Sequence, residues 1–406
     1  MYSDPPAIVG GKPVRESLLP FNEPWIDEED LQQVEAVLES GKLAAGYKVR
    51  ELEERFSSEV GVRYAMAVVT GTAALHAACY AAGISRGEEV ITTPLAFSGF
   101  ANAPLYLGAK LIFADVNEYD LNISPEEIER NVTESTCAVV ASHFAGHPCD
   151  LESISAIARR HNLAVVEDAT SALGASYRGK PVGSFATAAA FSFHPEATIT
   201  AGAGGMVTTD DEETYRWLKL FCNQGIVRER ARLVNAKEGP WHYEVQELGF
   251  EYRPTEIQAA LALSQLEKLP SFLKRRRKIA ARYNEAFRRL PMVEIPHQDP
   301  DTEEAWNLYV LRLNPECLRA DRKHIFLALQ AEGVEVGVHY LPVYLHPLHG
   351  WLGDPNVCTL EQEPPCPKAE QIYGRLITLP LYPRMTDADV QDVISAVHKV
   401  LAFYSL

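Results

Sequence analysis

The chain has 406 residues, 47% hydrophobic and 23% charged, which is long enough for a large core and two domains and too evenly mixed for a fibrous or disordered protein. Acids outnumber bases 55 to 38, for a net charge of −17, and such a surface repels nucleic-acid phosphates and anionic membranes. No apolar run reaches the roughly 20 residues that cross a bilayer, and the first residues lack a signal-peptide layout, so a cytoplasmic protein is expected.

In chain order, IDEEDLQQVEAVLESG (26–41) reads as a helix with acids in its first turn and Gly41 at its end, and VRELEERFSSEVG (49–61) as a second. From about 63 to 210, short β-rich apolar runs such as EVITTP, KLIFADV, CAVVASHF and LAVVEDA alternate with helical stretches. That is the pattern of an α/β fold whose mostly parallel sheet is buried on both faces. Residues 254–290 read as helical, with an interruption at Pro270 and a basic run, KRRRK (274–278), on a solvated face. From about 300 the pattern is that of a smaller α+β domain: strand AWNLYVLRL, helix DRKHIFLALQAEG, strand VEVGVHYLPV, a Pro/Gly-rich stretch to about 368, and helix DADVQDVISAVHKVLAFY. The expected division is an arm over 1–22, a large domain over 23–270, and a linking helix with a small domain over 271–406.

The seven cysteines (79, 137, 149, 222, 317, 358 and 366) are odd in number, scattered and free of C-x-x-C pairs, which suits reduced thiols. His143, His147 and Cys149 imitate a metal cluster, but no matched second pair accompanies them, and no metal is assigned.

Four segments can carry chemistry. VVTGTAALH (68–76) ends a strand in a Gly-Thr turn that opens a helix, where N–H groups and the helix dipole suit a phosphate. VVEDA (165–169) ends a buried strand in two acids, and Asp168 there can hold a positive charge such as a protonated pyridine nitrogen, or cap a loop. FSFHPEATITAGAGGMVTT (191–209) presents Ser192 and His194 before small residues that admit a close backbone approach. TTPLAFSGF (92–100) puts Phe97 at the same sheet end, available to stack on a flat ring or to pack in the core.

In this order and spacing the segments resemble the DegT/StrS-type sugar-nucleotide aminotransferases, across nearly the whole chain. EVITTPLAF, HFAGHPCDLESI, FSFHP, QELGFEYRPTEIQAALALSQL, VHYLPV and LPLYPRMTDADVQDVI carry the likeness. The nearest subgroup aminates UDP-linked 4-keto-6-deoxy-hexosamines, as in pseudaminic acid synthesis. The resemblance implies the pyridoxal-phosphate-dependent aspartate-aminotransferase fold, with a seven-stranded, mostly parallel sheet and a small C-terminal α+β domain. It implies that Phe97 stacks on the pyridine ring, that Asp168 pairs with its nitrogen, and that Gly71, Thr72, Ala73 and Ser192 hold the phosphate. It also implies a homodimer with the site at the interface, so that the loop GFEYR enters from the partner chain. Arg253, His339 and Tyr340 become candidates for the nucleotide-sugar side.

The departures bear on the chemistry. The family has a lysine two positions past the proline of FSFHP, which forms the internal aldimine and then shuttles a proton; here Ala197 stands in that place. Lys180, in the turn YRGKPVG, fits a surface hairpin. Losing the amine removes an anchor and a general base typically worth about 10²–10⁴ in rate. Ser171 replaces the family's histidine or glutamine, Ala203 its glutamate, and Glu251 the partner-chain asparagine that touches the phosphate. A carboxylate about 4 Å from a phosphate costs on the order of 1–4 kcal/mol per charge pair. Four shifted positions favour natural divergence over a single engineered substitution.

Three functions remain open. The first is a sugar-nucleotide aminotransferase with standard chemistry weak or lost. The second is a lysine-free dehydratase or isomerase of a keto sugar that uses pyridoxamine phosphate non-covalently, or no cofactor, with His194 as candidate base. The third is a non-catalytic subunit that completes an active paralogue. Substrate choice is expected to rest on loops 226–245 and 340–366.

Overall fold

The computed structural model describes residues 4–44, 46–235, 238–351 and 364–406. Cys358 and much of the Pro/Gly-rich stretch lie outside the described residues.

Two helices open the large domain, α1 (Glu28–Ser40) and α2 (Tyr47–Val60). Asp27 and Asp30 form a reciprocal cap on α1, and Gly41 ends it in the left-handed region at φ 65°. Then follow β1 (Tyr64–Val68), α3 (Gly71–Ala81), β2 (Glu89–Thr92), α4 (Ser98–Tyr106), β3 (Lys110–Phe113), α5 (Pro125–Asn131), β4 (Thr136–Ser142), α6 (Leu151–His161) and β5 (Ala164–Asp168). A hairpin, β6 (Ser176–Tyr177) with β7 (Lys180–Pro181), precedes β8 (Ala188–Ser192), β9 (Gly205–Thr209) and α7 (Glu212–Phe221). A two-stranded ribbon, β10 (Ile226–Val227) with β11 (Glu244–Val245), leads to α8 (Glu256–Phe287).

The large sheet has seven strands in the order β1-β9-β8-β5-β4-β2-β3. All neighbours run parallel except β9, which is antiparallel to β1 and β8. The apolar runs read from the sequence form these strands because helices cover both faces: α3 inserts Ala73, Ala74, Ala77 and Ala78 fully buried on one side, and α2 with α8 close the other through Leu52, Phe56, Ala259 and Leu263. The small domain contains β12 (Val293–Glu294), β13 (Thr302–Glu303), β14 (Tyr309–Leu313), α9 (Arg322–Ala331), α10 (Pro347–Trp351), α11 (Pro367–Tyr373), β15 (Leu376–Leu379) and α12 (Asp387–Tyr404). Strand β13 pairs back onto β6, whereas β12, β14 and β15 form an antiparallel sheet.

Three expectations are corrected. Helix α8 runs unbroken through Pro270, because Leu266, Leu269, Phe272 and Leu273 grip one core on both sides of it while the proline itself is exposed. That packing overrides the roughly 3 kcal/mol a helical proline costs. The run KRRRK is not uniformly solvated: Arg276 is 2% exposed and donates to the carbonyls of Trp306, Asn307 and Leu381. Burial pushes its titration down to about 10. Its neighbours Arg275 and Lys278 pair with Asp387. Finally, VEVGVHYLPV forms only two isolated bridges, Leu19 with Val334 and Gly337 with Thr378, before it leaves the sheet toward the cleft described next.

Candidate functional site

In an open α/β sheet ligands gather beyond the carboxyl ends of the parallel strands. Here β1 ends before Thr70 and Gly71, β2 before Phe97, β5 at Asp168 and β8 at Ser192, while antiparallel β9 starts at the same edge after Ala203 and Gly204. These residues line a cleft of about 470 Å³, within the range of small-molecule sites. Thr72, Gly99, Thr170, Ser171, His194, Glu196, Ala197, Asn307, His339 and Tyr340 complete most of its wall.

At the opening of α3, Thr70 caps the helix and its Oγ1 accepts the Ala73 N–H at 3.0 Å. The Ala73 amide is thus taken by the cap, and Ala73 is not among the residues that line the cleft. The Gly71 and Thr72 amides remain at the positive end of the helix. Glycine is required at 71, where an added Cβ would lie 2.7 Å from both Cβ and Oγ of Ser192. That approach sets the Ser192 hydroxyl against the helix opening.

Strand alternation separates the two acids of β5. The Glu167 carboxylate points away from the cleft into the core, where it accepts from His143 Nε2 at 3.1 Å and from the Gly183 and Phe185 amides. The His143 Nδ1 accepts the Cys149 N–H, which leaves the ring proton on Nε2, directed at Glu167. His147 turns instead toward Glu304, so the trio His143, His147 and Cys149 is divided between two packing roles. Asp168 faces the cleft, 5% exposed, and accepts from Ser142 Oγ, Thr170 Oγ1 and Thr170 N. Burial raises its pKa despite these bonds, and its hydrogen-bond donors among the described residues are hydroxyls and an amide, none of them charged.

Phe97 stands at the start of α4 and is 62% exposed, with its ring in the cleft and edge-on to Tyr340 at 6.3 Å. An aromatic face this open at a polar cleft suits a flat ring better than a core. His339 stacks on Phe21 and shares a 2.9 Å hydrogen bond with Thr378 Oγ1. Burial lowers its pKa to about 4, so it is uncharged at neutral pH.

Ala197, 9% exposed, lies in the wall with its N–H on the His194 carbonyl. No lysine or arginine occurs among the described residues of the lining. Lys180 sits in the β6–β7 hairpin away from it, as read from the sequence. His194 and Glu196 are exposed in the cleft, and the His194 Nδ1 accepts the Glu196 N–H at 3.3 Å. A neutral imidazole so held carries its proton on Nε2 and offers a donor to the cleft, which disfavours His194 as the proton acceptor considered from sequence.

Glu251 and Arg253 do not line this chain's cleft. They bind each other, with Arg253 Nε and NH2 at 2.7 and 2.9 Å from the carboxylate, and Gln224 adds a third bond. The Arg253 fork holds the Glu251 pKa below its usual value. The repulsive charge read from sequence is thus neutralised locally. Their loop is fixed on α3 through Tyr252, whose hydroxyl lies 3.0 Å from His76 Nδ1.

Comparisons with known proteins agree with this architecture. The model of the DegT/DnrJ/EryC1/StrS aminotransferase family matches residues 24–398. The spore coat polysaccharide biosynthesis protein SpsC of Bacillus subtilis is 40% identical over 392 residues, 95% of this chain and 98% of its own. Among solved structures, Helicobacter pylori PseC, an aminotransferase of pseudoaminic acid biosynthesis, superposes with a TM-score of 0.87 at 31% identity over 96% of this chain and all of its own. Streptococcus pneumoniae Spr1654, solved in its PMP form, matches with a TM-score of 0.86 at 27% identity over 95% of this chain and 99% of its own. Aminotransferases of this family use pyridoxal or pyridoxamine phosphate. No helix among the described residues is long and apolar enough to cross a membrane. The chain is a member of the DegT/DnrJ/EryC1/StrS aminotransferase family.

Proposed function

We propose that this cleft binds a vitamin B6 coenzyme together with a nucleotide-linked keto sugar, and that the coenzyme is held without a covalent bond to the protein. The residues present fit the ring and its phosphate. Phe97 offers an open aromatic face, Asp168 a buried carboxylate held by uncharged donors among the described residues, and Gly71, Thr72 and Ser192 a helix opening where the backbone passes close. They do not fit the covalent anchor, because Ala197 stands where the family's lysine does. Bound there, the coenzyme supplies an electron sink for the carbon that gains or loses nitrogen. Asp168 keeps the ring nitrogen protonated, and Phe97 fixes the ring plane.

The observation that carries this reading is Ala197 in a wall without a lysine. Amino transfer in the manner of the family is accordingly weak or lost. Arg253, His339 and Tyr340 serve the nucleotide-sugar side, with Arg253 delivered by a second copy of the chain in a homodimer; a heterodimer with an active paralogue would use the same surface. The test is amino transfer to a UDP-4-keto-6-deoxy-hexosamine by the purified protein and by Ala197→Lys. The expected result is little or no product from the natural chain and about 10²-fold or more from the variant. Equal rates would overturn the reading.

A further inference from the structure

A second, smaller cavity adjoins the cleft at Ala197, and we infer that it binds a single halide ion between Arg276 and Thr198. Its volume is about 10 Å³, room for about one atom the size of water or chloride and too little for a phosphate or a carboxylate. Among the described residues that line the two spaces, Ala197 alone is common to both. Three parts of the chain meet around it: the end of the arm at Asn22, the segment 195–200, and α8 at Gln265 and Arg276. The inference is independent of what the cleft itself binds.

Unmet charge and unmet hydrogen bonds carry the argument. Arg276 is buried, and its hydrogen bonds, all from NH1, go to neutral carbonyls. Its buried Nε meets no acceptor among the described residues, and no carboxylate acts against the burial that lowers its titration. Thr198 is in the same condition, with a buried hydroxyl that has no partner among the described residues. A buried charge without a counter-charge is costly, as is a buried donor without an acceptor. The other polar groups of the wall are engaged elsewhere. Glu23, the carboxylate among the described lining residues, is bound to Arg384. The Gln265 Nε2 donates to the Trp25 carbonyl and to Asp30, which lies outside the lining and is paired with Lys268. The Pro195 carbonyl already accepts from Asn22 Nδ2 at 2.9 Å. A water molecule would answer the hydrogen bonds but leave the guanidinium charge uncompensated. A halide accepts from any direction, needs no donor in return and supplies the counter-charge.

The test joins thermal melts to crystallography of the full chain. Sodium chloride should raise the Tm saturably above that in sodium gluconate of equal ionic strength, whose anion is too large for the cavity. The expected difference is about 2 °C at tenfold excess over the Kd. Crystals grown in sodium bromide should show an anomalous bromine peak between Arg276 and Thr198. Thr198→Val, which keeps the shape and the charge but removes the hydroxyl, should weaken half-saturation by chloride about tenfold. Its melt in gluconate establishes that it is folded. Equal Tm in the two salts, a water in place of the bromine peak, or a chloride response unchanged in Thr198→Val would overturn the inference. A bromine peak without a chloride-specific shift would mark an adventitious ion only, and would overturn it as well.

Discussion

The two sides of the cleft are held in different ways. On the side where β1, β5 and β8 end, each group is fixed several times over: Asp168 by three hydrogen bonds, Gly71 by contact with Ser192, Thr70 by its cap, and the neighbouring Glu167 by three further bonds in the core. On the side running from His194 to Ala203, exposed His194 and Glu196 are held by bonds to their near neighbours, and exposed Ala203 by one bond from Gln258 of α8. The first side is built by the fold, so its groups cannot be altered without disturbing the sheet. The second carries Ala197, the position on which the proposed loss of covalent anchoring turns.

Mutations that probe this contrast should rank accordingly. Glu167→Ala removes three hydrogen bonds and strands His143 in the core; we expect a loss of about 3–5 kcal/mol in chemical denaturation. Glu196→Gln and Ala203→Gln, both at exposed positions, should stay within about 0.5 kcal/mol of the natural chain in the same measurement. If they destabilise as much as Glu167→Ala, the two sides are not different in kind. Next, Arg276→Met should cost about 2–4 kcal/mol, because it leaves the carbonyls of Trp306, Asn307 and Leu381 without their shared donor. Asn307 lines the cleft, so the same variant should also weaken coenzyme binding, and unchanged binding would show that the Arg276 contacts do not set the wall.

The smallest effect is a pH dependence. His339 titrates near 4 in the folded chain against 6.5 when exposed, so the unfolded chain binds more protons between those values. Its contribution is complete above pH 6.5 and is lost as the pH falls toward 4, by about 1–2 kcal/mol after allowing for its partial exposure. His339→Gln should flatten this part of the stability profile; an unchanged slope would assign it to other groups, such as buried His76.

The sheet was legible because parallel strands buried on both faces read as apolar runs whatever packs on them. That Phe97, Asp168, Gly71, Thr72 and Ser192 share one cleft was legible because they end those runs, where topology gathers them. What escaped depends on tertiary partners. Pro270 reads as a break until the core on both sides of it is known, and Arg276 reads as surface until three carbonyls are found around it. Glu251 and Arg253 read as two separate charges, although residues two apart on an extended strand end share a face and can close a fork.

The most direct measurement is mass spectrometry of the protein after incubation with pyridoxal phosphate and reduction by borohydride, compared with Ala197→Lys treated alike. The account predicts no reduced adduct on any lysine of the natural chain and one at position 197 of the variant. An adduct on a cleft-facing lysine of the natural chain, from either subunit, would contradict it.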